Sequence, residues 1–182
     1  QGLLTLARAD AGQRLELASV DMLTLCEEVC RQARRTYPER RVELARGPVP
    51  VVSGDADSLR QLLWILLDNS ARHTGPNGLI TVSLDRQPES VRLSVGDDGE
   101  GISVDDRERI FERFYRTDPA RGAGGAGLGL SIARWIVQQH GGRIGAGQNP
   151  AGRGAEFTID LPLAAADAAL RHGPGGSVRE VA

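Results

Sequence analysis

Apolar residues recur at helical spacing in three long stretches of the chain. The first stretch follows Ser19 or Asp21, either of which can act as an N-cap, and it ends before Pro38. The second follows Asp55 and ends in a glycine- and proline-rich run at 74–78, and the third ends at a Gly-Gly pair. The pattern therefore predicts three helices, which cover about residues 22–37, 56–73 and 128–140.

Shorter apolar or alternating stretches predict strands. They lie near residues 15–18, 42–45, 49–52, 79–85 and 90–95, with a closing hairpin over 143–147 and 156–161. A short helix is also expected over 105–111. Runs of strands separated by three long helices indicate the α/β class, and specifically a two-layer α/β sandwich in which a mixed sheet packs on the three helices.

Three regions are expected along the chain. Residues 1–13 have the pattern of the last turns of a helix that begins before this sequence does. Residues 14–163 carry all the predicted elements of one domain. Residues 164–182 are rich in alanine, glycine and proline without a core pattern, which predicts a disordered tail.

Composition narrows the possible partners and compartments. The formal net charge is −2, so the basic footprint of a nucleic-acid-binding protein is missing and nucleic acid is not an expected partner. The two cysteines, Cys26 and Cys30, lie four residues apart on a predicted helix and are expected to be reduced. No apolar run approaches the ~20 residues of a membrane span, so a soluble domain is expected.

A glycine run at 124–130 leads directly into the third predicted helix. Unpaired backbone N–H groups and the positive end of the helix dipole meet at such a place, which makes it suitable for phosphate. The run is neither a Walker loop, since the chain has no lysine, nor a dinucleotide fingerprint, since no strand leads into it. By itself it is also compatible with a simple hinge.

The second predicted helix ends with three polar residues on one side, Asn69, Arg72 and His73. An amide oxygen can ligate Mg²⁺, which needs few protein ligands, and a guanidinium can pair with phosphate. Without further motifs, a polar helix edge explains the same residues.

The segment Asp97-Asp98-Gly99-Glu100-Gly101-Ile102 follows a predicted strand. A carboxylate at a strand end can accept a hydrogen bond from the exocyclic amine of adenine, whereas guanine has a carbonyl there. Glycines allow the backbone to approach a flat ring closely. An aromatic cluster at 110–116 comes next, just before the glycine run, and in isolation it is equally well explained as core.

In this order, the motifs resemble those of the ATP-binding catalytic domain of sensor histidine kinases, within the superfamily that includes gyrase, Hsp90 and MutL. The N, G1, F and G2 boxes and the last glycine motif of that family are similar to residues 62–74, 97–101, 111–114, 125–130 and 152–157. Residues 3–12 and 20–23 resemble the end of the family's dimerisation helix and its junction with the ATPase domain.

The resemblance implies an ATP site with bound Mg²⁺. Asn69 would ligate the metal, while Arg72 and His73 would line the phosphate and ribose side. Asp97 would bind the adenine amino group. The residues implied to shape the base pocket are Gly99, Gly101 and Ile102, and those implied to cradle the phosphates under a mobile lid are Gly125, Gly127, Leu128 and Gly129.

The same resemblance assigns catalysis to Asn69, Arg72 and an arginine on the lid side. Arg113, Arg116 and Arg121 are equal candidates for that arginine by sequence, and Arg116 is taken as the catalytic one. Two positions depart from the family pattern. Ile65 stands where many members have a second polar residue, and Ala155 replaces a usual hydroxyl residue.

The family's phosphoacceptor histidine is absent, because His73, His140 and His172 all lack its sequence context. The implied function is therefore transfer of the ATP γ-phosphoryl group to a histidine on a dimerisation domain outside this sequence, for relay to an aspartate of a response regulator. The alternatives are a nucleotide-binding regulatory module with little kinase activity and an anti-sigma-factor serine kinase, against which the dimerisation-helix remnant argues.

The resemblance also carries expectations about assembly and location. The fragment is expected to be a monomer and the intact protein a homodimer. The domain is expected to be cytoplasmic, with anchoring of the intact protein in a bacterial inner membrane as one option.

Overall fold

The computed structural model describes residues 15–45, 47, 50–116 and 127–164. Its strands are β1 (Ala18–Asp21), β2 (Arg41–Leu44), β3 (Val51–Gly54), β4 (Leu79–Arg86), β5 (Ser90–Asp97), β6 (Arg143–Gln148) and β7 (Ala155–Pro162). Its helices are α1 (Met22–Thr36), α2 (Ala56–His73) and α3 (Gly129–Gln139), with a 3₁₀ turn at Arg109–Phe111. The three predicted long helices and the closing hairpin are confirmed. The expected helix remnant, residues 124–126 of the glycine run and residues 165–182 of the expected tail lie outside the described residues.

Three predicted elements differ from the structure. The strand expected at 49–52 lies at Val51–Gly54. The first strand lies at 18–21 rather than 15–18, because Ala18 pairs with Gly54 and Asp21 with Val51 in a separate two-stranded sheet. The helix expected over 105–111 is mostly turns. The Ser103 hydroxyl both donates to the Asp106 carboxylate at 2.7 Å and accepts from the Asp106 N–H at 3.2 Å. Such local side-chain bonds compete with helical ones and favour a turn.

The main sheet has five strands in the order β2-β4-β5-β7-β6. Strands β2 and β4 run parallel, and the other neighbours are antiparallel. The sheet is therefore mixed, and its helices form the second layer, so the predicted two-layer α/β sandwich is confirmed. β5 lies in the centre of the sheet, and its last residue is Asp97.

Alternation along the central strands separates an apolar face from a more polar one. Ile80 and Val82 of β4 and Phe157 and Ile159 of β7 are fully buried. They share one core cluster with leucines of α2, namely Leu59, Leu62, Leu63, Leu66 and Leu67. Each such side chain stabilises the fold by about 1.5–3 kcal/mol relative to an exposed one. This core holds α2 against the sheet.

The three helices begin differently. The Asp21 carboxylate accepts the N–H of Thr24 at 3.0 Å and caps α1, and the Asp55 carboxylate accepts the N–H of Ser58 at 2.8 Å and caps α2. Helix α3 follows Leu128 and has no side-chain cap. None of the described helices is long and apolar enough to cross a membrane.

His140 ties the end of α3 to the start of α2. Its ring is 6% exposed, its Nε2 accepts the Asp55 N–H at 3.0 Å, and its Nδ1 donates to the Ile136 carbonyl at 2.7 Å. A side chain at Gly54 would press on this ring, since its Cβ would lie 3.0 Å from the His140 Cδ2. The C-terminus of α3 thus meets the N-terminus of α2, and the start of α3 lies beside Ile65 in the middle of α2.

The two cysteines are free and buried on α1. Burial raises the pKa of the Cys26 thiol well above its usual range and that of Cys30 to about 11. Both are therefore unreactive thiols that fill the core. The expectation that they are not joined in a disulfide is confirmed.

Candidate nucleotide-binding site

Asp97 is a buried carboxylate whose orientation is set by the backbone. The residue is only 2% exposed. Its Oδ1 accepts the N–H of Gly99 at 3.0 Å and the N–H of Ala155 at 3.2 Å. Among the described residues, none donates a hydrogen bond to Oδ2. One oxygen therefore holds the carboxylate in place, and the other is a strong acceptor that a ligand can use.

The turn between β6 and β7 packs against the backbone carbonyl of Asp97. The side-chain amide of Asn149 donates to the Asp97 carbonyl at 2.8 Å. Gly154, with φ of +88°, lies so close that a Cβ there would collide with the same carbonyl oxygen. The sequence analysis missed Asn149, although the Asn-Pro pair at 149–150 is a turn signal. Ala155, noted as a departure from the family pattern, contributes its backbone N–H rather than its side chain.

The loop after β5 packs tightly against the end of α2. A side chain at Gly99 would collide with the carbonyl oxygen of His73. Gly101 has φ of +80°, and a Cβ there would lie 3.3 Å from the Gly154 carbonyl oxygen. Ile102 is half-buried and packs on the core cluster. These three residues, predicted to shape a base pocket, therefore lie close to Asp97 along a closely packed loop.

The side chain of Asn69 is half-buried and makes no hydrogen bond with any described residue. Ile65, Asn69 and Arg72 lie four and then three residues apart, so they share one face of α2. That face points to the start of α3, because a Cβ at Gly129 would lie 3.4 Å from the Ile65 Cγ2. The uncapped N-terminus of α3 and the side chain of Asn69 therefore belong to one region.

The described residues do not by themselves complete a metal site in this region. The described residues contain no group of three or more His, Cys, Asp and Glu side chains that could hold an ion. Mg²⁺ commonly uses one or two protein oxygens together with phosphate oxygens and water. The unbonded amide of Asn69 fits that requirement.

His73 contacts the loop after β5 rather than other residues of α2. Its Nδ1 donates to the Glu100 carboxylate at 2.9 Å, and the two side chains are 44% and 48% exposed. The pair joins the last residue of α2 to the loop of Gly99 and Gly101 at the rim of the region. A phosphate or ribose contact of His73 stays a prediction.

The guanidinium of Arg72 is bound by a carboxylate one turn earlier on the same helix. Its Nε donates to the Asp68 Oδ2 at 2.8 Å and its Nη2 donates to the Asp68 Oδ1 at 3.3 Å. Asp68 also accepts from the hydroxyl of Tyr37. The hydrogen bond to Asp68 is the main reason that the pKa of Arg72 is raised. Neither Asp68 nor Tyr37 was identified from the sequence.

Gly127 and Leu128 lie immediately before α3. Gly127 has φ of +67°, and its carbonyl accepts the N–H of Phe114 at 2.9 Å. A Cβ at Gly127 would lie 2.8 Å from the Phe114 carbonyl carbon, so glycine is required there. The Leu128 carbonyl accepts the Ile132 N–H at 3.0 Å and the Ser131 hydroxyl at 2.8 Å. Gly125 and Arg121 lie outside the described residues.

The aromatic segment before the glycine run divides into a buried and an exposed part. Phe111 is buried, and its ring contacts that of Phe157 edge-on at 6.4 Å between centroids. Phe114 is 69% exposed, with φ of +66°. Arg113 is exposed and Arg116 half-buried, and both lie where the chain enters the glycine run.

A separate groove of about 290 Å³ lies on the other face of the sheet. Its lining includes Thr81, Ser83, Ser94 and Glu156, which alternate with the apolar core residues of their strands. Asp97 and Asn69 do not line it. The nucleotide-binding region is therefore identified by the chemistry of Asp97 and Asn69 and by the positions of α2 and α3.

Comparison with known proteins gives a consistent picture. The family model described as histidine kinase-, DNA gyrase B-, and HSP90-like ATPase matches residues 54–165. The chain is 40% identical over 166 residues to the probable sensor histidine kinase TcrY of Mycobacterium tuberculosis, covering 90% of this chain and 34% of that protein. It is also 40% identical over 151 residues to the signal transduction histidine-protein kinase BaeS of Escherichia coli, covering 80% and 32%. The chain thus spans about a third of the length of these relatives.

Solved structures agree with the sequence relatives. The mycobacterial sensor histidine kinase MprB has a TM-score of 0.73 at 32% identity, with 81% of this chain and 98% of that chain covered. Full-length ShkA in complex with AMPPNP has a TM-score of 0.78 at 34% identity, with 90% and 35% covered. The chain therefore belongs to the family of histidine kinase-, DNA gyrase B-, and HSP90-like ATPases and is the ATP-binding catalytic domain of a sensor histidine kinase.

Proposed function

We propose that this chain binds Mg·ATP and transfers its γ-phosphoryl group to a histidine on a dimerisation domain of the same protein. The observation that supports this most directly is the buried Asp97, whose Oδ1 is held by two backbone N–H groups while Oδ2 is available to a ligand. Its fixed position within a loop of glycines is suited to a flat ring that carries an amine. Family membership supports the same nucleotide.

The base is recognised by hydrogen-bond polarity and by shape. The exocyclic amine of adenine would donate to the Asp97 Oδ2, whereas the carbonyl of guanine would face a second acceptor there. Gly99 and Gly101 let the loop backbone approach the ring, and Ile102 supplies apolar contact. A site built to bond the amine discriminates strongly against an analogue that lacks it.

The triphosphate lies between the end of α2 and the start of α3 in this proposal. Asn69 would hold Mg²⁺, which neutralises charge on the phosphate oxygens. Arg72 and His73 line the α2 side. Backbone N–H groups near Gly127, Leu128 and Gly129, together with Gly125, would bind the phosphates, and the uncapped α3 N-terminus adds a favourable dipole.

The transfer breaks the bond between the γ-phosphorus and the bridging oxygen and forms a bond to an imidazole nitrogen, so that ADP leaves. Such a reaction needs mainly positioning and neutralisation of charge. Arg116, at the entry of the glycine run, is the proposed cation for the γ-phosphate. Neither described histidine is suited to accept the phosphoryl group, since His140 is buried with both ring nitrogens bonded and His73 is paired with Glu100. His172 lies outside the described residues and lacks the sequence context of the family's acceptor, so we place the acceptor on the dimerisation domain.

Partners follow from the same reaction. The phosphohistidine would pass its phosphoryl group to an aspartate of a response regulator. The isolated chain is expected to be a monomer, and the intact protein a homodimer through its histidine-bearing helices. The domain would act in the cytoplasm, with the intact protein soluble or anchored in the bacterial inner membrane.

Calorimetry with Mg·ATP, followed by incubation with γ-labelled ATP, tests the proposal. We expect heat of binding, no self-labelling, and acid-labile label on an added dimerisation domain from the full-length protein. Absence of binding would refute the nucleotide site, and efficient self-labelling would refute the position of the acceptor. Tight binding without transfer would favour the regulatory module, which is the alternative suggested by Ile65.

A further inference from the structure

We propose that Asp68 and Tyr37 are positioning residues that hold the Arg72 guanidinium over the helical turn of Asn69, and that they thereby set the affinity for the triphosphate. The inference rests on the proposed function, because it assumes that phosphates bind beside Asn69. It adds two residues that do not themselves touch the nucleotide.

Asp68 is bonded on two sides. Its carboxylate accepts from Nε and Nη2 of Arg72, at 2.8 and 3.3 Å, and from the Tyr37 hydroxyl. The side chains of Asp68 and Arg72 are 30% and 45% exposed. A fork-like contact with a carboxylate fixes both the position and the plane of a guanidinium, which a single contact does not do.

Tyr37 anchors this carboxylate to a second helix. It directly follows α1, and its N–H donates to the Ala33 carbonyl at 2.8 Å. Its ring stacks on that of Trp64 of α2, with centroids 6.2 Å apart and planes 23° apart. Burial and the hydrogen bond to Asp68 raise the pKa of Tyr37 to about 12. The hydroxyl is therefore a stable donor at neutral pH.

Helix geometry places the bound guanidinium near Asn69. Side chains on a helix lean toward its N-terminus, and Asp68 lies one turn before Arg72. By pairing with Asp68, Arg72 is drawn back along α2 to the turn that carries Asn69. A Cβ added at Gly129 would lie 3.4 Å from the Cγ2 of Ile65, which is on the same face of α2, so this face is turned toward the start of α3. An unbound arginine would sample many rotamers and would lose that freedom when phosphate binds.

The other end of α2 provides a matched control. Arg60 donates to Asp57 at 2.9 Å within the first turn and a half of α2, with the two side chains 45% and 95% exposed. Pairs of this exposed kind contribute little. Asp57→Asn therefore removes a carboxylate from the same helix without touching the proposed site.

The test compares dissociation constants for Mg·ATP and for adenosine, measured by displacement of a fluorescent ATP analogue. We expect Asp68→Asn to weaken Mg·ATP binding about fivefold, equivalent to about 1 kcal/mol, and to leave adenosine binding unchanged. Asp68→Glu, which keeps the charge, should retain most of the affinity. Tyr37→Phe keeps the ring on Trp64 and should weaken Mg·ATP about twofold. Asp57→Asn should change neither constant.

A double-mutant cycle distinguishes positioning from a general effect on the fold. If Asp68 acts through Arg72, then Asp68→Asn should have no further effect on Mg·ATP in an Arg72→Gln background. The inference is overturned if Asp68→Asn shifts both ligands equally, leaves both unchanged, tightens Mg·ATP or stays effective without Arg72. If Asp68→Asn fails to fold, Tyr37→Phe decides by the same criteria. Failure of the unmodified chain to bind either ligand would instead refute the proposed function.

Discussion

The candidate site has a base half around Asp97 and a phosphate half around Asn69 and the start of α3. The two halves differ in how many of their polar groups are already hydrogen-bonded within the protein. In the base half, Asp97 is buried and bonded to two backbone N–H groups, and Asn149 and Gly154 pack behind it. In the phosphate half, Asn69 makes no hydrogen bond with any described residue and α3 starts without a side-chain cap. The same chain caps α1 and α2 with Asp21 and Asp55.

The difference indicates that the base half serves to recognise the base, whereas the phosphate half serves to receive a charged group. A base is small, rigid and neutral, so a fixed acceptor in a buried loop can select it without reorganisation. A metal-bound triphosphate brings its own charge and ligands, so it can satisfy donors and acceptors that the protein leaves unpaired. We expect mutations that disturb the packing and backbone bonds around Asp97 to affect folding and binding together, and mutations in the phosphate half to affect binding alone.

The largest expected effect comes from Gly154→Ala, which adds a Cβ that collides with the Asp97 carbonyl at a positive φ. We expect a loss of about 3–4 kcal/mol of unfolding free energy, measured by urea denaturation. Gly152→Ala is the control, because φ there is +99° but no atom lies within 4 Å of the added Cβ. It should cost only about 1–2 kcal/mol. Equal losses would contradict the close packing of this turn.

Asp97→Asn should weaken ATP binding roughly 100-fold, or about 2.7 kcal/mol, while the protein stays folded. The asparagine Oδ1 can keep the N–H groups of Gly99 and Ala155, which places Nδ2 where Oδ2 was. Two donors then face each other at the adenine amine, which is costly in a buried site. Calorimetry should show a relative gain for inosine triphosphate, whose carbonyl accepts from Nδ2. An unchanged preference for ATP would disprove the role of Asp97.

Asn69→Ala should reduce ATP affinity about tenfold in the presence of Mg²⁺ and much less in its absence. Thermal unfolding should change little, since no hydrogen bond to a described residue is lost. Asn149→Ala is the comparison in the base half, where loss of the bond to the Asp97 carbonyl should destabilise the fold by about 1 kcal/mol. If Asn69→Ala destabilised the chain as much, the contrast between the halves would fail.

The smallest expected effect concerns alkaline pH. The pKa of Tyr37 is raised to about 12 in the folded chain, so the folded state holds this proton more tightly than the unfolded state. The associated stability is complete below pH 10 and is lost as the pH rises from 10 toward 12. We expect the unfolding free energy of the unmodified chain to fall faster over this range than that of Tyr37→Phe. Parallel curves would show that the hydroxyl is not held by Asp68.

Much of the fold could be predicted because its elements are locally encoded. The caps at Asp21 and Asp55 and the apolar spacing that follows them define α1 and α2 without reference to the rest of the chain. Strand β1 was misplaced because only its pairing with β3 decides where it lies. The segment at 105–111, expected to be a helix, is mostly turns. The hydrogen bonds between Ser103 and Asp106 are local in the sequence and compete with those of a helix.

The candidate site was predicted only as far as its motifs reach. Asp97, Asn69 and the glycines stand in contiguous patterns, and resemblance identified them. Asn149 and Tyr37 were missed because each acts on a residue distant in the chain, Asp97 and Asp68 respectively. Nothing in the local sequence around either residue indicates that contact.

The amino-acid sequence by itself determined the three helices, the order of the motifs and the family, since all of these depend on local spacing and residue type. The tertiary structure alone decided which groups are already paired. Hydrogen bonds between distant segments hold Asp97 and bind His140 to Asp55, while the side chain of Asn69 keeps its bonding capacity. The reason is that burial and pairing are properties of surroundings, and the surroundings exist only once the strands and helices have packed.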